Sequence, residues 1–432
     1  MSLMMTHARC MSMVLPLPLS LCITLTLLDR TTSVPLQWAA LSISMALVIA
    51  ACGARLFTHE SVTALFCLPT TLALASCAMC FAAPCMLPAT VAIAIVALLI
   101  TSNHALLVAI PPPAVLLRSS SLPAAMAGRV VVITGSSAGI GLEAATQLLT
   151  IGATVVFACR SAQRAKAAME TALRVSSAPP QRAVFMSLDV ANLVSVREFA
   201  LAFAQRFTAC DALICNAGCM LPTRQLSPQG HEANLATNHL GHFLLVQLLL
   251  PLLRQSAGRV VFVASSLHKG YSAADSHALA AALLNDPHSR SDYALFRAYA
   301  KSKLAMVAGA IELHRRESKH GVLALSLHPG TAYTEIARGM PLAVQWAQHV
   351  LQPLLRLWFQ SASEAAYTIT FAAASPEACA LAGAYLERCK AQPAAKAARN
   401  PAFTARIWDL SESMVAPFTK SLRSTDAINL HG

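Results

Sequence analysis

The chain has 432 residues, 56% hydrophobic and only 12% charged, with a formal net charge of +12. Soluble domains carry about 25% charged residues, so the composition argues against a wholly soluble chain and calls for membrane segments. The 13 cysteines are odd in number and irregularly spaced, which argues against a disulfide scaffold and for a reducing compartment. No zinc-finger spacing and no basic stripe with interleaved aromatics is present, so nucleic acid is not an expected partner.

The first 117 residues contain only Arg9, Asp29, Arg30, Arg55 and Glu60 as charges. A membrane helix needs roughly 20 apolar residues, and the uncharged windows Met11–Leu28, Thr31–Ala54, Ser61–Cys85 and Met86–Leu117 supply that length or nearly so. The expectation is an all-α transmembrane region of three or four helices over residues 1–117. Pro16 and Pro18 make the first window the weakest. Cys77 and Cys80 form an isolated C-x-x-C there, read as packing. Pro111-Pro112-Pro113 ends the last apolar stretch, since proline lacks the helical donor. Residues 118–127 read as a linker. From residue 118 onward there are 29 basic and 18 acidic residues, a balance that would draw this part toward anionic lipid.

From Gly128 apolar runs alternate with amphipathic stretches. Strands are predicted over 129–134, 153–158, 183–188, 212–215, 259–264 and 322–327, with a short one over 384–386. Helices are predicted over 140–150, 162–173, 194–207, 233–253, 298–318 and 362–374. Such alternation implies a doubly wound parallel sheet with ligands at the carboxyl ends of its strands. Ala391–Ala398 reads as an Ala-rich surface segment.

Between the first strand and helix stands Thr134-Gly135-Ser136-Ser137-Ala138-Gly139-Ile140-Gly141. Glycines there permit a tight turn and close approach of a pyrophosphate to the helix start. After the second strand comes Cys159-Arg160-Ser161 instead of the carboxylate that would hold an NAD ribose. Arg160 offers a fork of donors to a 2′-phosphate and Ser161 a hydroxyl, so the cofactor expected is NADP(H). Tyr299-Ala300-Lys301-Ser302-Lys303 lies on a predicted helix, where positions four apart share a face. Lys303 can then favour the Tyr299 phenolate, and Tyr299 can pass a proton to or from a substrate oxygen. His239, His242 and His268 lack acidic or cysteine partners at ligand spacing, and no metal is expected.

The T-G-x-x-x-G-x-G spacing, Asn216-Ala217-Gly218 and the Tyr299/Lys303 pair resemble the short-chain dehydrogenase/reductase family over about residues 128–418. The resemblance is strongest to its retinol dehydrogenase-like branch, through Asn238-His239-Leu240-Gly241-His242, Leu327-His328-Pro329-Gly330 and Gly383-Ala384-Tyr385-Leu386. It implies a Rossmann-like domain over 128–418, followed by a tail over 419–432. The catalytic set it implies is Asn238, Ser266, Tyr299 and Lys303, with Ser265 the competing choice for the serine and Asn238 holding a water near the lysine. The cofactor would contact Gly135, Ser137, Gly139, Ile140, Gly141, Arg160, Ser161, Asp189, Asn216, Ala217, Gly218, Tyr299, Lys303, Pro329, Gly330, Thr331 and Thr334.

Two features depart from the pattern: the 33 positions between Ser266 and Tyr299, and the number of membrane segments. Met340–Phe359, with Trp346 and Trp358, lies where the family places a substrate-covering segment. The implied substrate is a small apolar carbonyl or alcohol of the retinoid, steroid or lipid aldehyde class. The other expected partners are the lipid bilayer and a second copy of the chain, as a homodimer. The expected location is a multi-pass membrane position with the catalytic domain in the cytosol, the endoplasmic reticulum being one candidate. The alternative is a catalytically weak, cofactor-sensing scaffold that docks partners at a membrane.

Overall fold

The computed structural model describes residues 126–270, 273–330 and 361–425. The membrane windows, Cys77 and Cys80, most of the linker, Thr331, Thr334 and Met340–Phe359 lie outside the described residues. The strands are β1 (Val130–Thr134), β2 (Thr154–Cys159), β3 (Ala183–Ser187), β4 (Ala212–Cys215), β5 (Arg259–Val263), β6 (Leu323–His328), β7 (Tyr385–Glu387) and β8 (Lys390–Gln392). They form one sheet in the order β3-β2-β1-β4-β5-β6-β7-β8. The first seven run parallel, and β8 turns back antiparallel on β7.

The helices between them are α1 (Gly139–Thr150), α2 (Ala162–Ser176), α3 (Leu193–Arg206) and α4 (Ala233–Gln255). They continue with α5 (Ala273–Asn285), α6 (Leu295–Glu317), α7 (Ala362–Ala374) and α8 (Pro401–Thr425). Their starts follow from local chemistry. Ser161 and Asn192 cap α2 and α3 by accepting main-chain N–H groups, and Ser361 with Glu364 forms a reciprocal capping box on α7, which satisfies donors the first turn leaves unpaired.

Alternate residues of each buried strand face opposite layers. Val131, Ile133, Phe157 and Ile214 pack with Leu148 of α1 and Ile369 of α7 on one side. Val132, Val156, Leu213 and Phe262 pack with Phe203, Leu249 and Leu304 on the other. Burial on both faces explains why the strands read as unbroken apolar runs.

Among the described residues one helix, α4, is long and apolar enough to cross a membrane. Most of it is buried inside the fold, so it serves as a core helix. Its second turn is π-helical over Ala236–Leu240.

Several sequence expectations change. The 33-residue excursion holds a helix, α5, which the period pattern did not separate from its polar surroundings. Residues 391–398 are a surface segment only in part: Ala391, Gln392, Pro393 and Lys396 are exposed, while Ala394, Ala395 and Ala398 are buried. Helix α8 runs to Thr425, past the expected domain end at 418. Met126, expected in the linker, is already buried in the core.

Candidate active site

The strand order reverses between β1 and β4, and a crevice opens there at the carboxyl ends, as the doubly wound topology requires. It holds a cavity of about 1060 Å³. All the expected cofactor residues that fall within the described chain line it: the glycine loop, Arg160, Ser161, Asp189, Asn216 to Gly218, Tyr299, Lys303, Pro329 and Gly330.

The glycine loop is built from backbone constraints. Gly135 and Gly139 have φ of +68° and +58°, values that favour glycine. At Gly141 a Cβ would come within 2.5 Å of Asn216 Nδ2 and 2.7 Å of Gly135 O, so only hydrogen fits. Helix α1 begins without a side-chain cap or an acidic residue in its first turn. Its free N–H groups and positive dipole end therefore suit a pyrophosphate. These features fit a dinucleotide.

Thr134 ties this loop to the next turn. Its hydroxyl accepts the N–H groups of Asn216 and Ala217, both at 2.9 Å, and lies 2.8 Å from His242 Nε2. His242 Nδ1 in turn meets the Asn238 carbonyl oxygen at 3.0 Å. Burial holds His242 down at about 4, so it is a neutral ring with one donor and one acceptor. His239 pairs with Ser411 at 2.7 Å. Among the described residues no group of three metal-ligating side chains occurs.

Asn238 sits in the π-helical turn, fully buried behind Gly218 and outside the cavity lining. Its Oδ1 accepts from Cys219 N at 2.8 Å, and its Nδ2 donates to Cys219 O at 3.0 Å and Ser302 Oγ at 2.8 Å. The empty side of Gly218 lets Asn238 Oδ1 and Lys303 Nζ approach the same point.

Helix α6 delivers Tyr299 and Lys303. Lys303 Nζ donates to the Val263 carbonyl oxygen at 2.8 Å and lies 5.6 Å from the centre of the Tyr299 ring. Burial lowers Lys303 to about 8. Burial also pushes the Tyr299 phenol well above its ordinary range, opposed by the neighbouring Ser265 side chain.

The two serines offered by the sequence are placed differently. Ser265 is buried, lines the cavity and touches Tyr299, whereas Ser266 is exposed and does not line the cavity. The physical reason is the end of β5 at Val263. The chain then turns into a 3₁₀ segment from Ser266, which points the second serine outward.

Sequence reasoning passed over Arg164 and Cys219, which line the cavity together with His328 of the Leu327-His328-Pro329-Gly330 motif. Arg164 carried a usable signal, since it stands four residues after Arg160 at the start of α2. Leu226 and Phe296, at 54% and 49% exposure, form an apolar rim on the same cavity, which no sequence pattern distinguished.

Residues 129–277 match the model of the short chain dehydrogenase family. WW domain-containing oxidoreductase of Gallus gallus is 36% identical over 67% of this chain and 69% of its own length. Retinol dehydrogenase 14 of Homo sapiens is 34% identical over 69% and 90% of the two chains. Polyprenol dehydrogenase of Mus musculus is 36% identical over 65% and 82%. Among solved structures, an uncharacterised protein from Mycobacterium paratuberculosis superposes with a TM-score of 0.50 at 29% identity, covering 69% of this chain and 98% of its own. The chain therefore belongs to the short-chain dehydrogenase/reductase family, near its retinol dehydrogenase branch, and is an oxidoreductase that works with a nicotinamide cofactor on a small substrate.

Proposed function

We propose that the protein is an NADP(H)-dependent, membrane-held enzyme that interconverts a carbonyl and an alcohol on an apolar substrate, mainly by reduction. The observation that carries this reading is the gathering of Tyr299, Ser265 and Lys303 at the wall of the cofactor cavity, with Lys303 Nζ 5.6 Å from the centre of the Tyr299 ring.

When bound, the cofactor supplies hydride to the carbonyl carbon. Ser265 and Tyr299 would both donate hydrogen bonds to the substrate oxygen, which polarises the carbonyl. Tyr299 then gives up its proton to that oxygen. Burial keeps the phenol protonated until substrate arrives, which suits an acid better than a base. Lys303 is still mostly an ammonium at neutral pH, and its charge stabilises the phenolate left behind.

Arg160 is exposed at the cavity edge and Arg164 lines the same end. Two guanidiniums there favour a 2′-phosphate over a bare ribose, which supports NADP(H). The apolar rim of Leu226 and Phe296 supports an apolar substrate. Two relatives are named for retinol and polyprenol, both long isoprenoid alcohols. The uncharged windows of residues 1–117 support a multi-pass anchor, with the domain from 128 onward in the cytosol where NADPH is supplied.

The test is turnover by the full-length protein in detergent, with NADPH and a panel of retinal, steroid ketones and fatty aldehydes. Reduction of a long apolar aldehyde is expected. No turnover of any carbonyl, or equal turnover by Tyr299→Phe, overturns the reading.

A further inference from the structure

The reaction above leaves His268 unused. It stands in the 3₁₀ segment Ser266–Lys269, just past Ser265, is fully buried and does not line the cavity. Its Nδ1 meets the Ser265 carbonyl oxygen at 2.7 Å, and its Nε2 meets the Ala395 main-chain N–H at 3.2 Å. A carbonyl can only accept and an amide N–H can only donate, so Nδ1 carries the ring proton and Nε2 accepts. Burial holds the imidazole down at about 4, with the Ser265 carbonyl opposing and Lys269 and His328 reinforcing that shift. The ring is thus neutral, with its one donor and its one acceptor both committed to main chain. The Tyr385 ring packs against it, 4.5 Å away between centres.

The same turn aims Ser265. Ser265 Oγ accepts the Leu267 N–H at 3.3 Å, which engages one lone pair on the turn side and leaves the hydroxyl proton for the cavity that Ser265 lines. This aim holds only while the Ser265 peptide plane stays in place. The His268 main-chain N–H also reaches the Ser265 carbonyl, at 3.2 Å, but it belongs to the turn and moves with it. The ring bond is shorter, and its far nitrogen is anchored elsewhere in the fold, where Ala394 and Ala395 are buried after β8. His268 therefore joins the catalytic turn to the Ala-rich segment 391–398.

We infer that His268 is a positioning residue: it braces the Ser265 carbonyl against the segment after β8 and so holds the Ser265 hydroxyl where the substrate oxygen needs it. The inference rests on the reading of Ser265 as a hydrogen-bond donor to the substrate. Donors to a developing oxyanion act by being held in place beforehand, and a misplacement of about 1 Å that starts far from the chemistry can cost about 10²-fold. Because His268 lies behind the cavity wall, its loss should lower the rate without weakening NADPH.

The two ring bonds can be separated. An Asn side-chain amide reaches the place of Nδ1, and a Gln amide the place of Nε2. His268→Asn thus keeps the hold on Ser265, and His268→Gln keeps only the hold on Ala395. The full-length protein is assayed with rates counted per NADPH-binding site, which leaves unfolded chains out of the comparison. For carbonyl reduction, kcat/KM should fall about tenfold in His268→Gln and stay within about threefold in His268→Asn, with the dissociation constant of NADPH unchanged in both. In a Ser265→Ala background, His268→Gln should cost less than about twofold, because the group it positions is gone. Unchanged kcat/KM in His268→Gln, an equal loss in both variants, or a tenfold loss that persists beside Ser265→Ala overturns the inference and leaves His268 a core residue joining two loops. Full activity of Ser265→Ala alone would instead sink the reading of the serine, and the inference with it.

Discussion

The two ends of the cavity are built by different means. At the β1–α1 end the work is done by backbone: two glycines at positive φ, a third with no room for a Cβ, and an uncapped helix start. At the β5–α6 end it is done by buried side chains whose properties depend on what surrounds them. Ser265 follows β5 while Tyr299 and Lys303 stand one turn apart on α6, and burial shifts both titrating groups. A backbone-built site is specified by local residue type, whereas a side-chain site is specified by packing. The first should fail by losing affinity for the cofactor, the second by losing rate.

The sharpest way to break that contrast is at Tyr299. Tyr299→Phe removes the proton donor and leaves the ring to fill its place. General acid–base groups contribute about 10²–10⁴-fold, so kcat should fall about 10³-fold. The dissociation constant of NADPH, read by fluorescence titration, should stay within about threefold, since only one hydrogen-bonding group is lost. A large loss of cofactor affinity would show that the two ends are not separable.

The next effect separates two adjacent serines. Ser265→Ala should lower kcat/KM about 10²-fold, in the range for one donor to a developing oxyanion. Ser266→Ala is a surface change and should leave the rate within about twofold, as expected for substitutions away from buried features. The reverse order would refute the geometry at the end of β5.

These variants also bear on what the sequence could say. Strand and helix positions were legible because burial on two faces writes continuous apolar runs, and β4 and α7 fall on the expected residues. The glycine loop, Asn216 to Gly218 and the Tyr299/Lys303 spacing were legible because each is a local requirement. Which of two neighbouring serines turns inward was not, because it depends on β5 ending at Val263 and the 3₁₀ turn that follows. The role of Ala394, Ala395 and Ala398 was hidden because small apolar residues pack equally well in a core or on a surface.

At the cofactor end, Arg160→Ala should raise KM for NADPH about 10–100-fold, the range of one or two charge-assisted hydrogen bonds at about 1.5–3 kcal/mol. KM for NADH should change little, because its ribose lacks the phosphate. Steady-state kinetics with both cofactors read this directly. Equal losses would mean that Arg160 does not select the 2′-phosphate. A larger loss for Arg164→Ala would move that role one helical turn along α2.

The smallest effect is the most informative about the side-chain end. Lys303 is lowered to about 8 by burial, so its charged form dominates below that pH and is lost above it. Tyr299 lies far higher and stays protonated through this range. The logarithm of kcat/KM for carbonyl reduction, which reports groups of the free enzyme, should therefore bend downward near pH 8. The loss between pH 7 and pH 8 should be only about twofold, the fraction of ammonium removed by one titration. Lys303→Arg keeps the charge to far higher pH, and the bend should vanish in that variant even if its rate is lower throughout. A bend that persists at pH 8 would assign the titration to another group, and the electrostatic role of Lys303 would then have to be carried by something other than its charge.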